Sequence, residues 1–181
     1  MKRIVFGDRS YLVPVGVFDP FKHRSGLLIA NHLEDTADDW AGKRVVEVGT
    51  GCGLLAGVLH DAGAEVVATD ISRLAVEAAK GNLAKTSVDV RYGDLFAPIS
   101  GERFDVIVSN PPYEIGRSLR PRYRSPDVLQ RLSVEWRDFA DQLVVAFPTD
   151  SADLLVELGF NLHLVERFDS VGRELGIFSS T

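Results

Sequence analysis

The sequence predicts an α/β fold, a single domain built on a seven-stranded, mostly parallel sheet with helices on both faces. Three observations carry this. Short β-branched runs alternate with helical patterns along most of the chain, and strand–helix alternation in short units builds a parallel sheet covered on both sides. The last two apolar runs are joined by too few residues for a crossover helix, so they should pair antiparallel. The length, 181 residues, corresponds to about one domain.

The elements follow in order. Ile4–Phe6 and Tyr11–Val13 flank Gly7-Asp8, a turn pair that suggests a small hairpin. A helix over about 25–33 leads into the first sheet strand, Arg44–Gly49, which is short and β-branched. Leu54–Ala62 reads as a helix stopped by Gly63. Glu65–Asp70 is the second sheet strand, and Ser72 is placed to cap a helix through Leu83, with Leu74, Ala75, Ala78 and Ala79 on one face. Val88–Tyr92 and Phe104–Val108 are the third and fourth. Ser125 or Asp127 opens a helix reaching about Asp141, and Leu143–Phe147 is the fifth strand. A helix over about 151–158 and strands near 162–168 and 175–178 complete the sheet. Residues 1–40 form an N-terminal hairpin and helix extension, and 41–181 the core.

Composition excludes several classes. Hydrophobic residues make up 45% and charged residues 25%, the balance of a folded globular chain rather than a disordered one. A net charge of −6 is not that of a bulk nucleic-acid coat. Cys52 is the single cysteine, so an intrachain disulfide and a Cys-rich zinc site are both ruled out. No apolar run reaches about 18 residues, and Asp8 interrupts the basic start before any signal-like stretch develops. The expectation is a cytoplasmic protein without membrane contact.

Chemistry concentrates where strands end. Glu47-Val48-Gly49-Thr50-Gly51-Cys52-Gly53 joins the first sheet strand to its helix. Its glycines let the backbone turn tightly and approach a ligand. The spacing G-x-G-x-G departs from the dinucleotide fingerprint, whose sixth position is here Leu54. Cys52 reads as a small loop residue rather than a catalytic thiol. Asp70, at the next strand end, suits two ribose hydroxyls, with Ile71 beside it. Asp94 can accept from an adenine amino group while the Leu95 backbone reads a ring nitrogen. After the fourth strand stands Ser109-Asn110-Pro111-Pro112-Tyr113. Two prolines fix φ and remove two donors, leaving the Asn110 amide oxygen and the Pro111 carbonyl to accept N–H from a planar amino group. Tyr113 offers a stacking face. Such acceptors act most strongly on a nitrogen whose lone pair is attacking.

The order Glu47 to Gly53, Asp70, Asp94, then Asn110-Pro111-Pro112-Tyr113 resembles the class I S-adenosylmethionine-dependent methyltransferases, in the group that methylates amino nitrogens. The resemblance covers roughly residues 15–178 and implies a Rossmann-like domain. It implies S-adenosyl-L-methionine as cofactor, S-adenosyl-L-homocysteine as product, and no metal. Glu47, Gly49, Thr50, Gly51, Gly53, Asp70, Ile71, Asp94, Leu95 and Asn110 would line the cofactor, and Asn110, Pro111, Pro112 and Tyr113 the transfer.

The stretch Val13–Pro20 followed by Ser25-Gly26-Leu27-Leu28 is similar to the compact form of the HemK-related release-factor glutamine methyltransferases. That similarity places Phe18-Asp19-Pro20 and Ser25 in the cofactor pocket, with Phe18 also toward the substrate. It implies a glutamine side chain of a translation factor as substrate and a small activator subunit as partner. The sequence departs from the pattern at Lys22, His23 and Arg24, where family members carry acids. Other substrates of this chemistry are an exocyclic amine of RNA or DNA (adenine N6 or guanine N2) and a small-molecule amine. A non-catalytic, cofactor-binding scaffold is the remaining class.

Arg117, Arg120, Arg122 and Arg124, with Tyr123 among them, form a basic cluster directly after the proline turn. It reads equally as a substrate contact for phosphate or an acidic surface and as a solvated loop. Glu34–Asp39 reads as a solvated helix end, and His32, His60 and His163 as structural or surface residues.

Overall fold

The computed structural model describes residues 1–22, 24–112, 125–170 and 173–180. Strands β1 (Lys2–Phe6) and β2 (Arg9–Val13) form a separate antiparallel hairpin. Gly7, at φ 53°, takes the first position of its two-residue turn, where positive φ is needed. Helix α1 spans Ser25–Asp35. Then follow β3 (Arg44–Val48), α2 (Leu54–Asp61), β4 (Glu65–Asp70), α3 (Arg73–Asn82), β5 (Asp89–Tyr92) and β6 (Phe104–Ser109). Helix α4 (Ser125–Glu135), β7 (Ala140–Pro148), α5 (Ala152–Glu157), β8 (His163–Ser170) and β9 (Arg173–Ser179) complete the chain.

The main sheet has seven strands in the order β5-β4-β3-β6-β7-β9-β8. The first five are parallel, and β9 runs antiparallel to both β7 and β8. The chain winds outward from β3 to β5, then returns to β6 on the other side of β3. Ligands of open α/β sheets bind beside such a reversal, outside the strand C-termini. The loops after β3 and β6 meet there.

Strand alternation sorts the core onto two faces. Val45, Val66, Ala68, Val106 and Val108 pack with α1, α2, α3 and the inner hairpin residues Ile4, Tyr11 and Val13. Val46, Val67, Ile107, Leu143 and Val145 pack on the opposite face with Leu129, Leu132, Trp136 and Leu155. The N-terminal hairpin is therefore seated on the core through its inner face. Among the described residues, no helix is long and apolar enough to cross a membrane.

Two expectations are corrected. The helix opened at Ser125 stops at Glu135, not near Asp141. Trp136–Asp138 tightens into a 3-10 turn with Trp136 buried, and Ala140 already pairs with Phe104. The sheet ladder, absorbing Ala140, Asp141 and Gln142, wins over the helical reading. Leu74 does not share the buried face of α3: it is 44% exposed, while Ala75, Val76 and Ala79 are enclosed. It lies instead beside Gly16.

Candidate active site

Glu47 begins the site from inside the sheet. It is buried in β3, and its Oε2 accepts from Thr50 Oγ1 at 2.6 Å and from the Ala56 N–H at 2.9 Å. Helix α2 is preceded by Gly53, which has no side chain to cap the first turn. Glu47 supplies that missing acceptor, and its carboxyl sits at a helix N-terminus. Burial pushes the Glu47 carboxyl up to about 8, against the hydrogen bonds from Thr50 and Ala56.

The loop beyond it has positive φ at Gly49, Gly51 and Gly53 (84°, 58° and 86°). At Gly49 and Gly51 a Cβ would meet no atom within 4 Å, so open space faces the backbone there. Gly53 faces inward: a Cβ would lie 2.8 Å from Leu83 Cδ1 and 3.3 Å from Ala79 Cα. Cys52 is buried, and burial pushes its thiol up to about 12, which fits an inert packing role.

The strand ends are joined to one another. Gly49 and Thr50 N–H both donate to the Thr69 carbonyl at 2.9 Å. Asp70 Oδ2 accepts from Gly51 N–H at 2.9 Å and its Oδ1 from Ser72 N–H at 2.8 Å. Burial raises the Asp70 carboxyl despite those bonds. Gly93 N–H donates to the Asp70 carbonyl at 3.0 Å, bringing the turn after β5 alongside. There Leu95 holds φ 44°, a left-handed conformation costing about 1–2 kcal/mol outside glycine. Asp94 is drawn into an ion pair with Arg131 at 2.8 Å.

Asn110 follows β6, next to the glycine loop, since Ser109 pairs with Val48 and donates to its carbonyl at 2.8 Å. Asn110 Nδ2 donates to Ser25 Oγ at 3.2 Å. Its Oδ1 is shut off from solvent and has no hydrogen-bond partner among the described residues. Ser25 opens α1 and is fully buried. The next residue must be glycine, because a Cβ at Gly26 would overlap Pro20 Cβ, with Asn110 Nδ2 at 3.7 Å. Asp19 orders this approach by accepting from the Phe21 and Lys22 N–H groups at 3.0 and 3.1 Å. Pro20 and Pro111 are buried, and Phe18 is 47% exposed.

The structure thus brings together Glu47, Gly49, Thr50, Gly51, Gly53, Asp70, Ile71, Asp94, Leu95, Ser25, Pro20, Asn110, Pro111 and Pro112 along the strand C-termini. Tyr113, Arg117, Arg120, Arg122, Tyr123 and Arg124, like His23, lie outside the described residues. Gly26 and Arg131 carry site contacts that sequence patterns did not single out. Among the described residues, no group of three or more His, Cys, Asp or Glu side chains assembles as a metal cluster.

Comparison with known proteins gives the family and the fold. Residues 15–126 match the family model described as "Methyltransferase small domain". The chain belongs to this family. It is 33% identical over 146 residues to the release factor glutamine methyltransferase of Agrobacterium fabrum, covering 73% of this chain and 50% of that one. It is 34% identical over 137 residues to the ribosomal protein uL3 glutamine methyltransferase of Bradyrhizobium diazoefficiens, covering 68% and 43%. The chain therefore spans about half the length of these relatives. Its fold is that of the T. thermophilus 16S rRNA N2 G1207 methyltransferase, solved with AdoMet and guanosine, at a TM-score of 0.70 and 20% identity over 98% of this chain and 48% of that one.

Proposed function

We propose that the chain binds S-adenosyl-L-methionine and methylates the side-chain amide nitrogen of a glutamine in a protein of the translation machinery. The observation that carries this is the Asn110 carboxamide, whose Nδ2 is held by Ser25 while its buried Oδ1 has no partner among the described residues. A buried acceptor without a donor costs about 1–3 kcal/mol, a cost that a bound N–H removes. The open backbone at Gly49 and Gly51 fits a ligand held against bare peptide. Asp70 keeps carboxylate lone pairs beyond the two it uses on Gly51 and Ser72, which suits ribose hydroxyls. Asp94 and the Leu95 peptide face the adenine end, and Glu47 holds the loop from beneath.

When bound, S-adenosyl-L-methionine supplies a methyl on a positively charged sulfur, which passes to nitrogen as the C–S bond breaks. The chain's part is to position that nitrogen. Asn110 Oδ1 and the Pro111 carbonyl accept its two N–H groups and turn its lone pair outward. These acceptors strengthen as the nitrogen becomes positive, so their contribution grows toward the transition state. Pro111 and Pro112 lock the turn, and in this reading Tyr113, which lies outside the described residues, offers a stacking face for the planar amide. The methylated nitrogen then gives its surplus proton to water, with S-adenosyl-L-homocysteine as the leaving thioether, so the scheme asks for positioning rather than a strong base or metal.

The two glutamine methyltransferase relatives support amide over base as acceptor, and a small activator subunit belongs to the same reading. Labelled-methyl transfer into fractionated lysate, followed by peptide mapping, tests it. Label on a glutamine of a translation protein is the expected result. Label confined to RNA or to small molecules overturns the substrate, and S-adenosylmethionine binding without any transfer leaves a scaffold. Asn110→Ala should keep cofactor binding and lose transfer about a hundredfold or more.

A further inference from the structure

Asn82 is the last residue of α3 and lies outside every segment that points to the site in sequence. Its carboxamide joins two distant pieces of backbone. Oδ1 accepts from the Leu12 N–H at 2.8 Å, and Nδ2 donates to the Leu12 carbonyl at 3.0 Å. Nδ2 also donates to the Cys52 carbonyl at 2.8 Å. A carboxamide has two N–H hydrogens, and both are spent here on main chain. Asn82 thus pairs with β2 as a neighbouring strand would, and at the same time grips the glycine loop between Gly51 and Gly53.

A second contact presses on the same spot. Leu83 and Ala79 approach Gly53 so closely that no Cβ fits there. The end of α3 therefore holds the loop by packing on one residue and by hydrogen bonding on the one before it. On the other side, Tyr11 of β2 lies so close to α2 that a Cβ at Gly57 would overlap its hydroxyl. The hairpin, the end of α3 and the glycine loop form one continuous contact.

We infer that Asn82 is a positioning residue for the cofactor, fixing the Cys52 peptide, and with it the loop, against the N-terminal hairpin. The inference rests on the reading of that loop as the S-adenosylmethionine site. A merely structural Asn82 would anchor the hairpin without changing affinity for the cofactor.

Calorimetry with S-adenosyl-L-homocysteine on the full chain separates the two. No binding by the wild type overturns the cofactor reading itself. If the wild type binds, Asn82→Ala should weaken affinity about tenfold, the size of one to two lost hydrogen bonds. Asn82→Asp keeps an acceptor for Leu12 but turns a carboxylate oxygen toward two carbonyls, and should weaken it at least as much. Arg9→Ala is the control, since it breaks the Arg9–Asp61 ion pair of the hairpin and touches no loop residue. It should lower thermal stability yet keep affinity within about twofold. Asn82 variants that lose stability but bind like wild type overturn the positioning role. A measurement on the unaltered chain stands beside these: hydrogen exchange at the Leu12 amide should slow when S-adenosyl-L-homocysteine is added. Unchanged exchange at Leu12 in the saturated protein also overturns the inference.

Discussion

Ser25→Ala deletes the hydroxyl that accepts from Asn110 Nδ2 at 3.2 Å. Ser25 is fully buried, so water cannot easily take the place of the lost oxygen. The Asn110 amide then carries an unpaired donor beside its already unpaired Oδ1, and the reason for its orientation is gone. An unsatisfied buried donor costs about 1–3 kcal/mol. Part of that appears as stability, which for a domain of this size is a fall in Tm of about 2–4 °C per kcal/mol. The rest appears in catalysis, because an amide free to turn presents its acceptor only part of the time. At about 1.4 kcal/mol per tenfold, a half share of that cost lowers kcat about two- to tenfold. Affinity for S-adenosyl-L-homocysteine should change less, since the glycine loop and Asp70 are untouched. Steady-state transfer of labelled methyl, together with calorimetry on the same preparation, reads both quantities. A variant with lowered Tm but wild-type kcat would refute the reasoning, for Ser25 would then only fill space beneath Asn110.

Three further outcomes follow from the same geometry. Gly26→Ala drives a Cβ into Pro20 and should cost about 1–3 kcal/mol by overpacking, with kcat falling further than Tm alone explains because Asn110 Nδ2 is adjacent; unfolding curves and turnover check both. Gly53→Ala places L-residue backbone at φ 86° and a Cβ 2.8 Å from Leu83 Cδ1, so it should lose about 1–2 kcal/mol of stability and weaken cofactor binding by calorimetry. Glu47 is held up to about 8 from an ordinary 4.5 by burial, so the native state binds a proton that the unfolded chain releases between those values. Its contribution is full below about pH 4.5 and is lost as pH rises through 8, at up to about 1.4 kcal/mol per pH unit. Glu47→Gln should flatten the pH dependence of denaturant midpoints over that window, and an unchanged slope would disprove the burial argument.

The strands are legible as short β-branched runs, because a strand buried on both faces is apolar at consecutive positions, as at Val45 and Val46, which face opposite cores. The strand-end motifs were legible for the same local reason: glycines, acids and prolines carry their geometry in a few consecutive residues. Contacts between distant segments left no such trace. Arg131 meets Asp94 across 37 residues and His32 meets Glu166 across 134, and no periodicity announces either. Gly26 matters only because Pro20 lies against it, a fact of packing. The helical pattern runs past the end of α4 because Trp136 is apolar and continues it, whereas its burial under the sheet requires the chain to tighten and enter β7.

A site that works by positioning needs stiffness, and here the stiffness comes mainly from backbone. Peptide groups of Gly49 and Thr50 bind Thr69, that of Gly51 binds the Asp70 side chain, and that of Gly93 binds the Asp70 carbonyl. Ser109 binds the Val48 carbonyl, and Asn110 binds Ser25. Each bond adds only about 0.5–1.5 kcal/mol, but together they tie the ends of β3, β4 and β6 and the turn after β5 into one frame. Asp70 is bonded within that frame through both carboxylate oxygens and its carbonyl. Replacing it therefore strikes the loop as well as any ribose contact. Loss of cofactor affinity in Asp70→Ala would not by itself identify a ribose ligand, whereas Asp70→Asn keeps an acceptor for Gly51 but turns an amide donor toward the Ser72 N–H: affinity retained assigns Asp70 to the frame, and affinity lost at an unchanged Tm assigns it to the ligand.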